Sequence, residues 1–209
     1  ISPTATQPRA ALAEYRPSQH NWTIYMSSQG THQHRATYAE IFNKPATSFR
    51  VIAPDVGGGF GMKGGVFPED AMCAWSAMRL HRPVKWTATR SESLVSDTHG
   101  RDAECRSEMA LDKNGKIIAI RVAADYGVGA YLSSSAPVPA CIGSMVYPNV
   151  YEYEAMHIHI RVVFSHTTWT GPYRGAGRPE AVYVVERLLD MAADEMGIGP
   201  LEIRNRNYI

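Results

Sequence analysis

The chain reads as an α+β protein with mixed sheets, antiparallel hairpins and packed helices, and three observations predict it. Short runs of period-two alternation are interleaved with amphipathic helical patterns, glycine and proline punctuate the junctions, and Asp112-Lys-Asn-Gly115 joins two alternating segments as a hairpin turn. Alternation in Asn21-Trp-Thr-Ile-Tyr-Met26 marks a strand. Helical spacing follows from Thr31 to Phe42, with Thr31 as the expected N-cap and Pro45 as the stop. Ser48 to Ala53 is strand-like and runs into a glycine-rich turn, after which Pro68-Glu69 opens an apolar helix to Leu80. Pro83 to Thr87, Cys105 to Leu111 and Lys116 to Tyr126 read as strands. So does Val150 to Phe164, where Met156, Ile158, Ile160 and Val162 share a face. Glu180 to Met196 is a helix with Val182, Val185, Leu188, Leu189, Ala192 and Met196 on one stripe, closed by Gly197. No internal repeat is evident.

Composition narrows the function classes. At 209 residues, 44% hydrophobic and 20% charged, the chain has enough material for a core in one or two lobes. Lys+Arg at 21 against Asp+Glu at 20, scattered rather than clustered, leave no footprint for a phosphate backbone, which argues against nucleic acid. No apolar run approaches the roughly 20 residues that span a bilayer, so a soluble, cytoplasmic protein is expected. Cys73, Cys105 and Cys141 are distant, odd in number and outside any Cys-x-x-Cys pair, which fits a reducing compartment rather than a disulfide, zinc or iron–sulfur framework. Cys141, in a proline-rich apolar stretch, is expected to be buried and inert. The absence of Met at Ile1 and the end directly after a charged helical segment suggest one continuous piece, residues 1–209, of a longer protein.

Two clusters carry the candidate chemistry. Glycines in Gly57 to Gly65 strip side chains from a strand-to-helix turn, so its N–H groups are able to approach an anion or a flat cofactor. The Walker order fails because Gly64 follows Lys63, and no Rossmann fingerprint fits. A tight structural turn and a cofactor cradle both remain open, and Phe60 either plugs the local core or walls a pocket. The second cluster, Thr170-Gly-Pro-Tyr-Arg-Gly-Ala-Gly-Arg-Pro179, sets Arg174 and Arg178 before a helix N-terminus, as an anion site or a capping turn with solvated arginines. His157 and His159 share a strand face but have no third ligand nearby in sequence, and His32 and His34 diverge on a helix. A hydrolase reading lacks the Gly-x-Ser-x-Gly elbow.

Taken together, Asp55-Val-Gly-Gly-Gly-Phe-Gly-Met-Lys63, the Pro68-Glu69 helix, Arg82-Pro-Val-Lys-Trp86 with Arg90-Ser-Glu92, Tyr173-Arg-Gly-Ala-Gly-Arg-Pro-Glu180 and Leu201 to Asn207 resemble a known family. In the same order, these motifs look like the large subunit of molybdenum hydroxylases, the group of xanthine dehydrogenase, aldehyde oxidase and carbon monoxide dehydrogenase. Within it, the Tyr-Arg-Gly-Ala-Gly-Arg loop is most like carbon monoxide dehydrogenase-type large subunits. The resemblance implies a molybdopterin-binding domain of the aldehyde oxidase and xanthine dehydrogenase type, with cofactor loops near 27–30, 55–65 and 170–180.

It also implies a molybdenum–molybdopterin cofactor in its cytosine dinucleotide form, with 2Fe-2S and FAD on partner subunits or domains. The resemblance matches Gln29 to a glutamine that approaches the metal's oxo group. Gly58, Gly59, Phe60 and Gly61 match the segment whose backbone lies against the cofactor, and Arg174, Gly175 and Ala176 the loop on the metal's other side. Arg101 aligns with a position that contacts substrate in some members. Gln29 and Arg174 are thus the implied catalytic residues, with no direct protein ligand to the metal, and the family's general-base glutamate belongs to a later part of the subunit. The implied reaction is hydroxylation of an aldehyde or N-heteroaromatic carbon of a small molecule, with water as oxygen source. Members with a molybdenum–copper pair carry cysteine where this chain has Gly175. Xanthine dehydrogenases carry a glutamate and an aromatic where it has Gly64 and Ala176, so neither copper nor a purine is expected. The alternatives are a carbon monoxide dehydrogenase-like subunit for another substrate and a non-catalytic structural segment of such a complex.

Overall fold

Two mixed sheets organise the chain, each in its own unit. In this computed structural model of residues 1–209, the N-terminal unit is Ser2–His99 and the C-terminal unit is Gly100–Ile209 together with Ile1, within the one or two lobes that the chain length allows.

In the N-terminal unit, β1 (Ala10–Arg16), β2 (Asn21–Met26), β3 (Phe49–Ile52) and β4 (Val84–Thr87) lie in the order β3-β2-β1-β4. β1 and β2 form an antiparallel hairpin, and β4 runs antiparallel to β1. β3 is parallel to β2, so the chain must cross over, and α1 (Thr31–Phe42) does so. α2 (Pro68–Leu80) packs on β1 and β4 and reaches Trp22 of β2, whose ring stacks on Phe49 at 4.8 Å between centroids and whose indole N–H donates to the Ala74 carbonyl at 3.1 Å. Ala74 and Ala77 are both fully buried there, and their small side chains let the helix approach the indole. β1 and α3 (Arg90–Ser96) carry no signal singled out in the sequence; α3 is capped by Thr89, whose hydroxyl accepts the Glu92 N–H.

Two expected helix ends are corrected. Gly30, not Thr31, is the N-cap of α1, because Ser28 Oγ accepts the Gly30 N–H (2.9 Å) and the Gly30 carbonyl accepts the first helical bond from His34 (3.1 Å). The helix stops at Phe42 because Asn43 turns left-handed (φ 49°), before Pro45 is reached.

In the C-terminal unit, β5 (Ala103–Leu111), β6 (Ile117–Gly129) and β7 (Ala155–Phe164) are ordered β5-β6-β7. The β5–β6 hairpin turns where expected, with Asp112 Oδ1 accepting the Asn114 and Lys116 N–H groups at 2.8 Å each. β7 is parallel to β6, and α4 (Val138–Val146) lies in the crossover. Ile120, Val122, Ala124 and Tyr126 of β6 pack against α5 (Arg178–Met196). The fully buried residues of α5 are Ala181, Val184, Val185, Leu189 and Ala193; of the predicted stripe, Val185 and Leu189 are among them and Leu188 and Ala192 pack against the same core. The small Ala181 and Ala193, which an apolar pattern underweights, bring the helix axis close to the sheet. α6 (Pro200–Asn207) is tied down by Asn207, which accepts the Ile117 N–H (2.8 Å) and donates to Gly115 O (2.7 Å). Cys141 is exposed on α4, not buried, because the unit's core takes Ala140 and Gly143 from that helix instead. His157 and His159 do share a face of β7, the exposed one, beside an Arg161–Asp125 ion pair.

Both units follow the same order of hairpin, helix, strand parallel to the hairpin's second strand, and helix. This repetition of topology has no counterpart in repeated residues. Its consequence is functional: loops leaving the C-terminal ends of adjacent parallel strands fall side by side, the usual place for ligands in sheets of this kind. In the N-terminal unit those loops are 27–30 and 53–67; in the C-terminal unit, 130–137 and 165–177.

Asp70, at the third position of α2, is buried and accepts the Phe67 N–H at 3.0 Å. Burial pushes its carboxyl from 3.8 up to about 6. Between those values the unfolded chain ionises while the folded one does not, so this group's contribution to stability is present below 3.8 and lost as pH rises to about 6. Asp70→Asn keeps an acceptor for Phe67 and removes the loss. Denaturant titrations should show the variant gaining about 1–3 kcal/mol over the parent between pH 4 and pH 6 and holding that gain above it.

Candidate functional site

The N-terminal unit brings together two of the loops expected to act together. Gln29 sits at the end of the β2 loop, and its backbone N–H donates to the Lys63 carbonyl at 3.0 Å. Its side-chain Oε1 accepts two loop amides, Gly61 N–H at 2.9 Å and Lys63 N–H at 3.2 Å. Two N–H donors on one terminal atom identify that atom as the oxygen. The Nε2 amide is therefore the end of this exposed side chain left for a ligand, as a donor. His34 reinforces the joint: Nδ1 lies 2.7 Å from Gly30 O and Nε2 lies 3.1 Å from Gly65 O.

The glycines answer different needs. Gly58 (φ 91°) and Gly61 (φ 98°) take left-handed conformations. A Cβ at Gly57 would collide with Gln7, and one at Gly59 with Gln29, so a side chain at Gly59 would first displace the glutamine. Gly64 and Gly65 differ: neither is left-handed, and an added Cβ would meet nothing within 4 Å. No contact inside the chain requires bare backbone there. Phe60 is also left-handed (φ 54°) and 40% exposed, so it does not plug the core. Below the loop, Lys63 is buried, its Nζ donating to Gln7 O at 2.7 Å, and burial pushes the ammonium down to about 8.

In the C-terminal unit, the loop after β7 runs through three consecutive left-handed residues, Gly175 (φ 97°), Ala176 (φ 47°) and Gly177 (φ 90°). Such a run turns peptide dipoles into a concave shape before the N-terminus of α5. A left-handed alanine costs about 1–2 kcal/mol, so something must hold it. Arg101 does: Nη1 donates to Tyr173 O (3.1 Å) and Glu180 Oε1 (3.0 Å), Nη2 to Arg174 O (2.5 Å), and the guanidinium lies 4.9 Å from the Tyr173 ring centroid. Arg101 is itself left-handed (φ 67°). Its fork is thus engaged by this loop, the arrangement its assignment to substrate did not foresee. Arg174 is exposed, and Arg178 Nη1 donates to Gly175 O at 3.2 Å.

Gln7, His34 and Lys63 were not among the expected site residues. Gln7 lies 50 residues before Gly57, outside every motif, and only the fold joins the two.

Comparison with known proteins gives this fold and its backbone-lined loops their class, a cofactor-binding domain of molybdenum-dependent oxidoreductases. The chain belongs to the molybdopterin cofactor-binding domain family, whose model matches residues 2–208. It is 33% identical over 203 residues to the 6-hydroxypseudooxynicotine dehydrogenase complex subunit gamma of Paenarthrobacter nicotinovorans, covering 97% of this chain and 25% of that protein. It is 30% identical to the carbon monoxide dehydrogenase large chain of Hydrogenophaga pseudoflava, covering 100% of this chain and 26% of that one. The structure of quinoline 2-oxidoreductase from Pseudomonas putida 86 superposes with a TM-score of 0.96 at 29% identity, over 100% of this chain and 27% of that one. The chain spans about a quarter of the length of these relatives.

Arg101→Ala should release the 173–180 loop without unfolding the unit. Hydrogen exchange at the Ala176 and Arg178 amides, both bonded within the loop, should accelerate about tenfold or more, the equivalent of about 1.4 kcal/mol of lost local protection. Unchanged exchange would mean that the backbone holds its own strain.

Proposed function

We propose that the chain forms part of the molybdenum-cofactor-binding large subunit of a hydroxylase that acts on an aldehyde or an N-heteroaromatic carbon. The observation that carries this reading is the bare backbone at Gly64 and Gly65, beside a glutamine whose oxygen is committed to the loop and whose Nε2 faces outward. Open main chain suits a flat ligand, and an oriented donor suits an electron-rich one, so the residues present fit a metal-bearing pterin. The names of quinoline 2-oxidoreductase and of the nicotine-derived dehydrogenase support a nitrogen-ring substrate.

When bound, the molybdenum–pterin supplies two-electron oxidation of a carbon centre with water as the oxygen source. The chain's own part is positioning. Gly58, Gly59, Phe60 and Gly61 would hold the pterin with their backbone, Gln29 would offer its Nε2 as a hydrogen-bond donor to the bound group, and Arg174, Gly175 and Ala176 would contribute their own loop to cofactor binding. The cytosine dinucleotide form, iron–sulfur and FAD partner subunits, a general-base glutamate elsewhere in the subunit and a cytoplasmic location complete the reading. Names such as "subunit gamma" and "large chain" accord with a multi-subunit assembly, and no helix is long and apolar enough to cross a membrane. Gly175 offers no thiolate, so soft Cu(I) has no donor in that loop and a carbon monoxide route through copper is not part of the proposal.

Metal and pterin analysis of the intact complex, with dye reduction by aldehydes, N-heteroaromatics and carbon monoxide, tests this. Molybdenum near one per subunit with heteroaromatic or aldehyde turnover is expected; stoichiometric copper with carbon monoxide turnover would refute the substrate class. Gln29→Glu keeps the acceptor for Gly61 and Lys63 but removes the donor. It should retain cofactor and lose turnover by about 10²–10³-fold, whereas Gln29→Ala should lose cofactor as well.

A further inference from the structure

Two long basic side chains are almost completely buried in the N-terminal unit, and they are treated differently. Arg9 is met by two carboxylates, Nε to Asp97 at 2.6 Å and Nη1 to Glu69 at 3.0 Å. Lys63, at 1% exposure, has no carboxylate within ion-pair distance, Asp97 acting on it only from further off: its Nζ donates to the Gln7 carbonyl (2.7 Å) and Gln7 Oε1 (3.4 Å). Burying a cation against neutral acceptors costs stability that an apolar residue of the same length would spare. A residue kept under that cost serves something other than packing.

The connections of Lys63 indicate what it serves. Its backbone N–H is held by Gln29 Oε1 and its carbonyl by the Gln29 N–H, which fixes the end of the glycine loop. Its ammonium crosses beneath the loop to Gln7. Gln7 in turn fixes the loop's start, its Oε1 accepting the Gly57 N–H at 2.8 Å and its N–H donating to Gly57 O at 3.0 Å. Gly57 is pressed so close to Gln7 that no side chain fits between them. The preceding residues are secured as well, with Arg90 Nη2 donating to Ala5 O (2.6 Å) and Thr6 O (3.0 Å).

We infer that Lys63 and Gln7 are positioning residues for the cofactor loop: the buried ammonium fixes Gln7, and Gln7 with Gln29 holds Gly57 to Gly61 in shape for an anionic cofactor. This rests on the cofactor reading proposed above. An apolar residue at 63 would preserve the core and leave the loop without its cross-tie.

The test uses the intact complex with Lys63→Met, Gln7→Ala and Gln7→Glu, reading molybdenum and pterin per subunit alongside thermal melting of cofactor-free protein. Lys63→Met and Gln7→Ala should hold about tenfold less cofactor, the usual loss when a supporting contact is removed, and melt within about 5 °C of the parent. Gln7→Glu keeps the Gly57 acceptor and gives Lys63 a counter-charge, so it should retain most of the cofactor. Full occupancy in Lys63→Met or Gln7→Ala overturns the inference, as does a Gln7→Glu variant as depleted as Gln7→Ala. Depletion that only tracks loss of folded protein overturns it too, and if Lys63→Met fails to fold, the two Gln7 variants decide. Parent complex without molybdenum or pterin overturns the cofactor reading, and this inference with it.

Discussion

A glycine loop has few side chains to wedge it in place, and this constraint governs the N-terminal unit. The Gly58, Met62 and Gly64 N–H groups bond within the loop, and its remaining donors must find acceptors from elsewhere in the chain, or the loop samples many shapes. One carboxamide oxygen, Gln29 Oε1, takes two of them, and another, Gln7 Oε1, takes a third. The pairing of β1, β2 and β3 brings those two glutamines to opposite ends of the same glycine turn. Gln7 lies just before β1, Gln29 just after β2, and the loop begins where β3 ends.

The C-terminal unit meets the same problem with a cation instead of carboxamides. Left-handed Gly175, Ala176 and Gly177 direct their carbonyls where Arg101 and Arg178 reach them or their neighbours. Arginine suits this because its planar fork serves several acceptors at once. A guanidinium engaged on Tyr173 O, Arg174 O and Glu180 is a fixed part of the loop, and what the loop presents outward is then backbone and Arg174.

Division of labour follows from these two arrangements. In the N-terminal unit Gln29 and Phe60 are exposed while Lys63 and His34, which hold their loop, are buried, and in the C-terminal unit Arg101 does the holding for its own loop. Strain is concentrated in the same places: Phe60, Arg101 and Ala176 are three of the eight non-glycine residues with positive φ. Backbone held against its preference needs surrounding contacts that over-determine it, and both loops have them.

Periodicity determined most of the architecture. Asn21–Met26, Thr31–Phe42 and Pro68–Leu80 occur as read, and the Asp112–Gly115 hairpin turns where its residues demand, because each rests on local rules of period, cap and turn. Motif order along the chain was enough to name the family that the comparison of residues 2–208 then showed. β1 escaped notice because Ala10, Ala11 and Ala13 carry little apolar signal, and the stripe read for α5 held Val185, Leu188, Leu189 and Ala192 of the core side but missed the buried Ala181, Val184 and Ala193. Cys141 was assigned to a core that the helix turns away from it. Only tertiary structure decided which atoms meet at the candidate site. Which end of the Gln29 amide faces the loop depends on where Gly61 and Lys63 lie, and the tie from Lys63 to Gln7 spans 56 residues with no periodic trace, since long-range hydrogen bonds are set by topology rather than by neighbours in the chain.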